Sequence, residues 1–464
     1  MNFFLGIFLS LGLVFSLHAQ TVAIIDSGTD MKHEAIAPQA WWNPVDIPDS
    51  GRDEDGNGYP DDTHGWNFAE GNNQVIDYKY LGLLDDDIRR FFDIQKKMML
   101  GEASEEEMNW LRSKVEDQEF IKKLSVYGNF MHGTHVGGIA IEKASSADLL
   151  AVKLIPTEVS LPFFVQEIKD RLAGIDEKSI TGLGLRKRLV KRALRALARE
   201  QSKLLVEIGD YIHGHGVEVA NGSFGTGYAQ AEMIVEAIFN TIYRRDPTKE
   251  EIHEVASYFI NSLVEYVEEM MEIAPDTLFV FAAGNDGTDN DVYPTSPTNV
   301  VRSNVISVAA TYDRVMLAPF SNYGVKMVDV AAPGLGIVNA VPGDEYLAVS
   351  GTSQAAPYVA GVALDVLSEN SELTPSEVKR IIESTVDKKD FLVGKVKTSG
   401  IVNSKRALRA ATLSKRLPLN VAIETANRLV QDERSTVDEK SFFHFNQYMP
   451  EAMLGLPSPM IINN

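Results

Sequence analysis

The chain has 464 residues, with 65 acidic against 44 basic side chains, a formal net charge of −21, 44% hydrophobic residues and no cysteine. At roughly 100–200 residues per domain, the length allows two or three domains or one large α/β unit with insertions. The acidic field disfavours nucleic acid and anionic lipid surfaces as partners. The missing cysteines exclude disulfides, a cysteine nucleophile and thiolate metal ligands.

Residues 1–19 contain FFLGIFLSLGLVFSL and end on His18-Ala19. The apolar run is short and N-terminal, and a small residue follows it, as in a secretory signal cleaved after Ala19. The usual positive flank is missing, so an uncleaved anchor or a buried first strand is the competing reading. Cleavage implies a secreted or periplasmic product with no stable membrane insertion.

TVAIID, Thr21 to Asp26, is an apolar β-branched run of the length expected for a buried parallel strand. Similar runs follow at Leu149 to Ile155, Val217 to Gly225, Thr277 to Asn285, Asn304 to Ala310 and Val328 to Gly334. Helix-length periodic stretches separate them. The alternation predicts an α/β fold, a doubly wound and mainly parallel sheet flanked by helices.

Three long helical insertions are expected near residues 81–124, 163–208 and 229–271, with capping boxes at Ser104 to Glu107 and Thr248 to Glu251. In the third, Ile252, Val255, Phe259, Ile260, Leu263, Val264 and Val267 recur at helical spacing and are expected to pack on the parent domain rather than on a partner. The basic stretch Leu185 to Lys203 carries a stripe of Leu185, Leu189, Ala193, Leu194 and Leu197, and its charges read as a solvated face, not a nucleic-acid or membrane helix. Residues 20–412 then form the main domain, and 413–464 a C-terminal extension.

Chemistry gathers in three stretches: VAIIDSGTD around Asp26, MHGTHVGGIA around His132 and VSGTSQAAPYVAG around Ser353. Each alone has an ordinary reading as a turn, a loop histidine or a helix start. In the order Asp, His, Ser they resemble the subtilisin-like serine proteases. VANGSFG resembles that family's substrate-binding strand, VFAAGNDG its oxyanion asparagine loop, APFSNYG and VDVAAPG its following strands, and SGIVNSKRALRAA its closing helix.

The resemblance implies a serine endopeptidase acting on protein or peptide substrates through an acyl-enzyme at Ser353. His132 would be the general base, Asp26 would fix its tautomer, and Asn285 would supply an oxyanion donor beside the helix N-terminus. Ser223, Phe224 and Gly225 would form the substrate edge, and Ala282, Ala283 and Gly284 the wall of the primary pocket. His135 reads as structural, and His213 and His215 as loop residues of little metal character. A non-catalytic binding or scaffold protein on the same fold is the alternative.

The family usually has Met and His where this chain has Gln354 and Tyr358. Without an oxidisable thioether beside the nucleophile, the activity should tolerate mild peroxide. DEDGNGYPDD offers Asp53, Asp55, Asn57, Asp61 and Asp62 around glycine turns, an oxygen-rich set that suits Ca²⁺ better than a solvated acidic turn, although His64 stands where an EF-hand has glutamate. Between the signal and the first strand there is no space for the pro-segment common in this family. The insertions or the C-terminal extension are expected to replace it, or the chain folds unaided.

Overall fold

Six apolar runs become strands because neither of their faces meets water. The computed structural model describes residues 19–144, 146–158, 183–242 and 247–437. The expected signal up to residue 18, residues 163–182 of the second insertion, 243–246 of the third and the end of the C-terminal extension lie outside them.

In chain order, the first half contains β1 (Thr21–Asp26), β2 (Gly65–Asn67), α1 (Asp86–Met99), α2 (Glu105–Glu116), α3 (Gln118–Lys143), β3 (Asp148–Lys153), α4 (Leu183–Gly214) and β4 (Val219–Gly222). Next come α5 (Tyr228–Ile242), α6 (Lys249–Ile273), β5 (Leu278–Ala282), β6 (Val305–Tyr312), β7 (Met316–Leu317), β8 (Val330–Pro333), β9 (Ile337–Val341) and β10 (Glu345–Val349). The chain continues with α7 (Thr352–Glu369), α8 (Pro375–Ser384), β11 (Asp387–Lys388), β12 (Gly400–Ile401), α9 (Ser404–Ser414) and α10 (Leu419–Leu429).

The ten-stranded sheet has the order β11-β12-β8-β6-β5-β4-β1-β3-β2, with β7 added to β6. All its pairings are parallel except β11 with β12 and β6 with β7. β1 lies between β3 and β4, so the chain reverses its direction of travel across the sheet there. Such a switch point opens a crevice at the carboxyl ends of the strands, where ligands bind in open α/β sheets.

Strand alternation divides the core. Val22 and Ile24 join one buried cluster with α3, α7, α8 and α9. Ala23 and Ile25 join the opposite one, with the ends of α4 and α6. The doubly wound parallel architecture expected from the sequence is therefore the one found.

The helical segments carry their own cores. In α4, α5 and α6, Val190, Leu194, Leu197, Val235, Phe259 and Ile260 pack together. The buried stripe of α4 thus runs through Val190, Leu194, Leu197 and Ala198, one position round from the expected Leu189 and Ala193, which are only partly buried. Its basic residues are also more than a solvated face: Lys187 and Lys191 pair with Glu254, and Arg195 with Glu265, across to α6. Both expected capping boxes form, at Ser104 with Glu107 and at Thr248 with Glu251, each adding about 1 kcal/mol to its helix.

The segment expected to be the first insertion extends into the site. Residues 118–124 are the opening turns of α3, whose Asp117 cap accepts from Glu119 and Phe120. The start of the expected C-terminal extension is likewise packed on the body, where α10 buries Ala422, Ile423 and Ala426. Among the described residues, no helix is long and apolar enough to cross a membrane.

Candidate active site

β1 ends on Asp26, which is fully buried. The chain then turns at Gly28, whose φ of +112° is open only to glycine and where a Cβ would lie 2.3 Å from the Val75 carbonyl oxygen. Gly133, next to His132 on α3, sits against this turn: a Cβ there would come within 2.3 Å of the Gly28 oxygen. That close approach brings the imidazole to the strand end. His132 Nδ1 lies 2.7 Å from Asp26 Oδ1, which also accepts the Ser27 N–H at 2.7 Å. With Nδ1–H donating to the carboxylate, Nε2 is the ring's basic nitrogen.

Ser353 is the second residue of α7, so its N–H is one of the helix's unpaired first-turn donors. Pro357, four residues on, has no N–H to give the Ser353 carbonyl. That carbonyl instead accepts the Ser223 hydroxyl at 3.1 Å, and Ser223 Oγ in turn accepts from Asn221 Nδ2 at 2.9 Å. Gly222, just before Ser223, is in register with Ile25, just before Asp26. The loops after β1 and β4 and the start of α7 therefore meet at one edge. Ser353 Oγ donates to the Ser223 carbonyl at 3.3 Å, and no hydrogen bond joins it to His132 among the described residues.

Asn285 follows β5 at the same edge. Its Oδ1 accepts both the N–H and the hydroxyl of Thr352 at 2.9 Å, which turns the amide N–H₂ away from those donors. The sequence reading missed Asn322, which staples this loop by accepting the Asp286 and Thr288 N–H groups at 2.9 and 3.1 Å. It lies within the APFSNYG stretch, but a buried asparagine leaves no periodic signal.

Ser223, Phe224, Gly225, Ala282 and Gly284 line one pocket with Ser353. Ala283 does not: it is fully buried on the other side, beside Ala309 and Ala331. Gly227, Asp286, Thr295 and Thr352 complete the lining. Asp286 keeps an exposed surface at the pocket mouth, yet protein crowds its carboxyl and pushes its pKa up, against the pull of Asn322.

Gln354 is buried, and among the described residues its Nε2 has no hydrogen-bond partner. His135, one turn beyond His132, is buried with Nε2 on the Leu347 carbonyl at 3.1 Å. Burial pushes its pKa down to about 4, against the opposing pull of the Leu347 bond.

In the acidic loop, Asp46, Asp55 and Asp62 each place an oxygen within 4.8 Å of the others. Asp46 was absent from the expected set. Asp53 and Asp61 face other partners: Asp53 accepts the Gly56, Asn57 and Gly58 N–H groups, and Asp61 those of Ser50 and Gly51. Asn57 turns its N–H₂, not its oxygen, towards Asp55 and Asp62. His64 bonds the Trp41 carbonyl at 2.8 Å.

Burial raises the Asp62 carboxyl, but hydrogen bonds from His215, Asn43, Tyr211 and Asn57 together hold it below its ordinary range. His215, just past α4, is 3.3 Å from Asp62, while His213 lies in the last turn of that helix. Three converging carboxylates with no lysine or arginine among them are hard-oxygen donors that fit Ca²⁺.

A doubly wound parallel sheet whose carboxyl edge gathers a carboxylate, an imidazole and an alcohol in this order has the architecture of subtilisin-like proteins. The model of the subtilase family matches residues 18–403. The chain belongs to the subtilase family.

It is 30% identical over 260 residues to the thermophilic serine proteinase of Bacillus sp. (strain AK1), covering 55% of this chain and 47% of that protein. Over 174 residues it is 35% identical to the extracellular basic protease of Dichelobacter nodosus, covering 34% and 28%. Over 112 residues it is 41% identical to thermitase of Thermoactinomyces vulgaris, covering 24% and 37%. The match thus spans about half the length of these relatives or less. A crystal structure of a cold adapted subtilisin-like serine proteinase, 19% identical, matches with a TM-score of 0.41 over 83% of this chain and 90% of that one.

Proposed function

We propose that the protein is a serine endopeptidase that hydrolyses peptide bonds through an acyl-enzyme at Ser353. The observation that carries this reading is the 2.7 Å bond from His132 Nδ1 to buried Asp26, which leaves Nε2 as a base at the edge where Ser353 opens α7. For reaction, the Ser353 hydroxyl leaves the Ser223 carbonyl and turns to His132. Apo contacts of this kind commonly tighten only with substrate bound.

Ser353 Oγ then attacks the scissile carbonyl carbon as its proton passes to His132 Nε2. The negative oxygen of the tetrahedral intermediate is met by the Ser353 N–H and the Asn285 amide. Collapse breaks the C–N bond, and His132 returns the proton to the leaving amine. Water, deprotonated by His132, releases the acid and restores Ser353.

An extended substrate pairs along Ser223 to Gly225, with one side chain in the pocket that carries Asp286 at its mouth. Asp46, Asp55 and Asp62 would hold Ca²⁺, whose charge would offset their mutual repulsion, while the Tyr211 hydroxyl, bonded to Asp62, ties the acidic loop to α4. Export follows from the N-terminal segment. In its support, a relative from Dichelobacter nodosus is named an extracellular protease.

The test is digestion of an unfolded protein by the purified chain. Internal cleavage that disappears in Ser353→Ala is expected, and equal cleavage by both would contradict the proposal.

A further inference from the structure

The family match ends at residue 403, but the described residues continue to 437. After α10, residues 430–437 run back across the body as a strap. Arg406 holds its start, with Nε and Nη2 donating to the Val430 carbonyl at 3.1 and 3.0 Å and Nη2 reaching Asp432 at 2.6 Å. The Glu433 N–H donates to Asp387 at 3.0 Å, and its carboxylate takes the Ser404 hydroxyl at 3.0 Å and the Arg314 guanidinium. Ser435 and Thr436 close the strap on the Asp313 carboxylate at 2.8 and 2.6 Å.

The charges beneath the strap explain the fit. Arg314 and Arg406 are buried, with side chains 4% and 8% exposed, and both lean on the wholly buried Asp387 at 2.9 and 3.1 Å. The body alone therefore sets two guanidinium groups against one carboxylate. Glu433, its side chain 17% exposed, supplies a missing counter-charge from the strap. A buried cation stripped of its partner is strongly unfavourable.

This cluster reaches the back of α7. Ser404, which donates to Glu433, opens α9, whose Ala407, Ala410 and Ala411 pack in one cluster with α7, and Tyr358 of α7 lies half-buried against that cluster, where Glu433, Arg314 and Ser404 act on its hydroxyl. Tyr358 follows Ser353 by five residues, which puts the two on different sides of the helix. Between them Pro357 removes the N–H that would hold the Ser353 carbonyl. The first turns of α7 thus depend on outside braces, Ser223 at the front and, at the back, the cluster where Tyr358 and α9 pack.

We propose that the 430–437 strap is a latch that positions the Ser353 helix through Glu433, Arg314 and Tyr358. These are positioning residues. The proposal rests on Ser353 being the nucleophile.

It is tested in the full chain with Glu433→Gln, Tyr358→Phe and the double variant, measuring kcat, KM, Tm and the rate of fluorophosphonate labelling well below Tm. A displaced nucleophile slows both chemistry and labelling, here by about tenfold, with KM unchanged. The double variant should be no worse than the worse single one, because both act through one contact chain. If Glu433→Gln fails to fold, Tyr358→Phe, which deletes only a hydroxyl, still decides the matter. A lowered Tm with unchanged kcat and labelling would overturn the latch and leave the nucleophile standing. An inert wild-type chain would overturn both.

Discussion

At the carboxyl edge of the sheet, buried polar atoms are left short of partners, whereas the acidic loop at 43–62 bonds both oxygens of every carboxylate in its set. Among the described residues, Asp26 Oδ2, Asn221 Oδ1 and Gln354 Nε2 are buried there without a hydrogen bond. Asp46, Asp53, Asp55, Asp61 and Asp62 are bonded by backbone amides and by Asn43, Asn57, Tyr211 and His215. Unmet hydrogen-bonding capacity in a buried site costs stability, and beside a nucleophile it is free to meet groups that form during reaction. A saturated loop has the opposite use, holding a shape. The two regions should therefore fail differently when altered.

The sharpest contrast comes from Ser353→Ala, which should lower kcat by about 10⁶-fold, the loss seen in the relative subtilisin, with Tm nearly unchanged. A large fall in Tm would place Ser353 with the structural region instead. Asn285→Ala should cost kcat about 10²–10³-fold, again a magnitude taken from subtilisin, with KM little changed. An unaltered kcat would remove Asn285 from the oxyanion site.

His135 lies in the cleft helix but should behave as a structural residue. Burial holds its folded pKa near 4, below its ordinary 6.5. The unfolded chain takes up this proton first, so the stability is fully present above pH 6.5 and is lost as pH falls towards 4. The loss amounts to about 3 kcal/mol at 1.36 kcal/mol per unit. Urea unfolding from pH 7 to 4 should show this slope, and His135→Gln should flatten it. An identical slope in the variant would contradict the assignment.

The smallest expected effect belongs to the acidic loop. Chelation should lower Tm by a few degrees, and Asp62→Asn should lose most of that response while kcat at 25 °C stays unchanged. A Tm indifferent to both chelator and calcium would refute the metal reading.

The contrast also shows what could be read without coordinates. Burial on both faces makes TVAIID and its counterparts continuous apolar runs, so the strands and their parallel pairing were legible. Capping boxes at Ser104 and Thr248 are local, and they form as read. Asp26, His132, Ser353 and Asn285 stood out because several motifs agreed in order.

What stayed hidden depends on contacts distant in sequence. Asp46 joins Asp55 and Asp62 through loop folding, not regular spacing. Asn322 reaches the Asn285 loop from 36 residues away. Ala283 was assigned to the pocket wall, but alternation along the chain turns it inward. The strap had no periodicity to betray it, since its partners are single buried charges.

The central claim is that His132, steadied by Asp26, activates Ser353, and covalent labelling tests it most directly. After a fluorophosphonate is applied to the intact chain, peptide mapping should find one adduct, on Ser353, forming far more slowly in His132→Ala. No adduct, an adduct elsewhere, or an undiminished rate in the His132 variant would contradict the account.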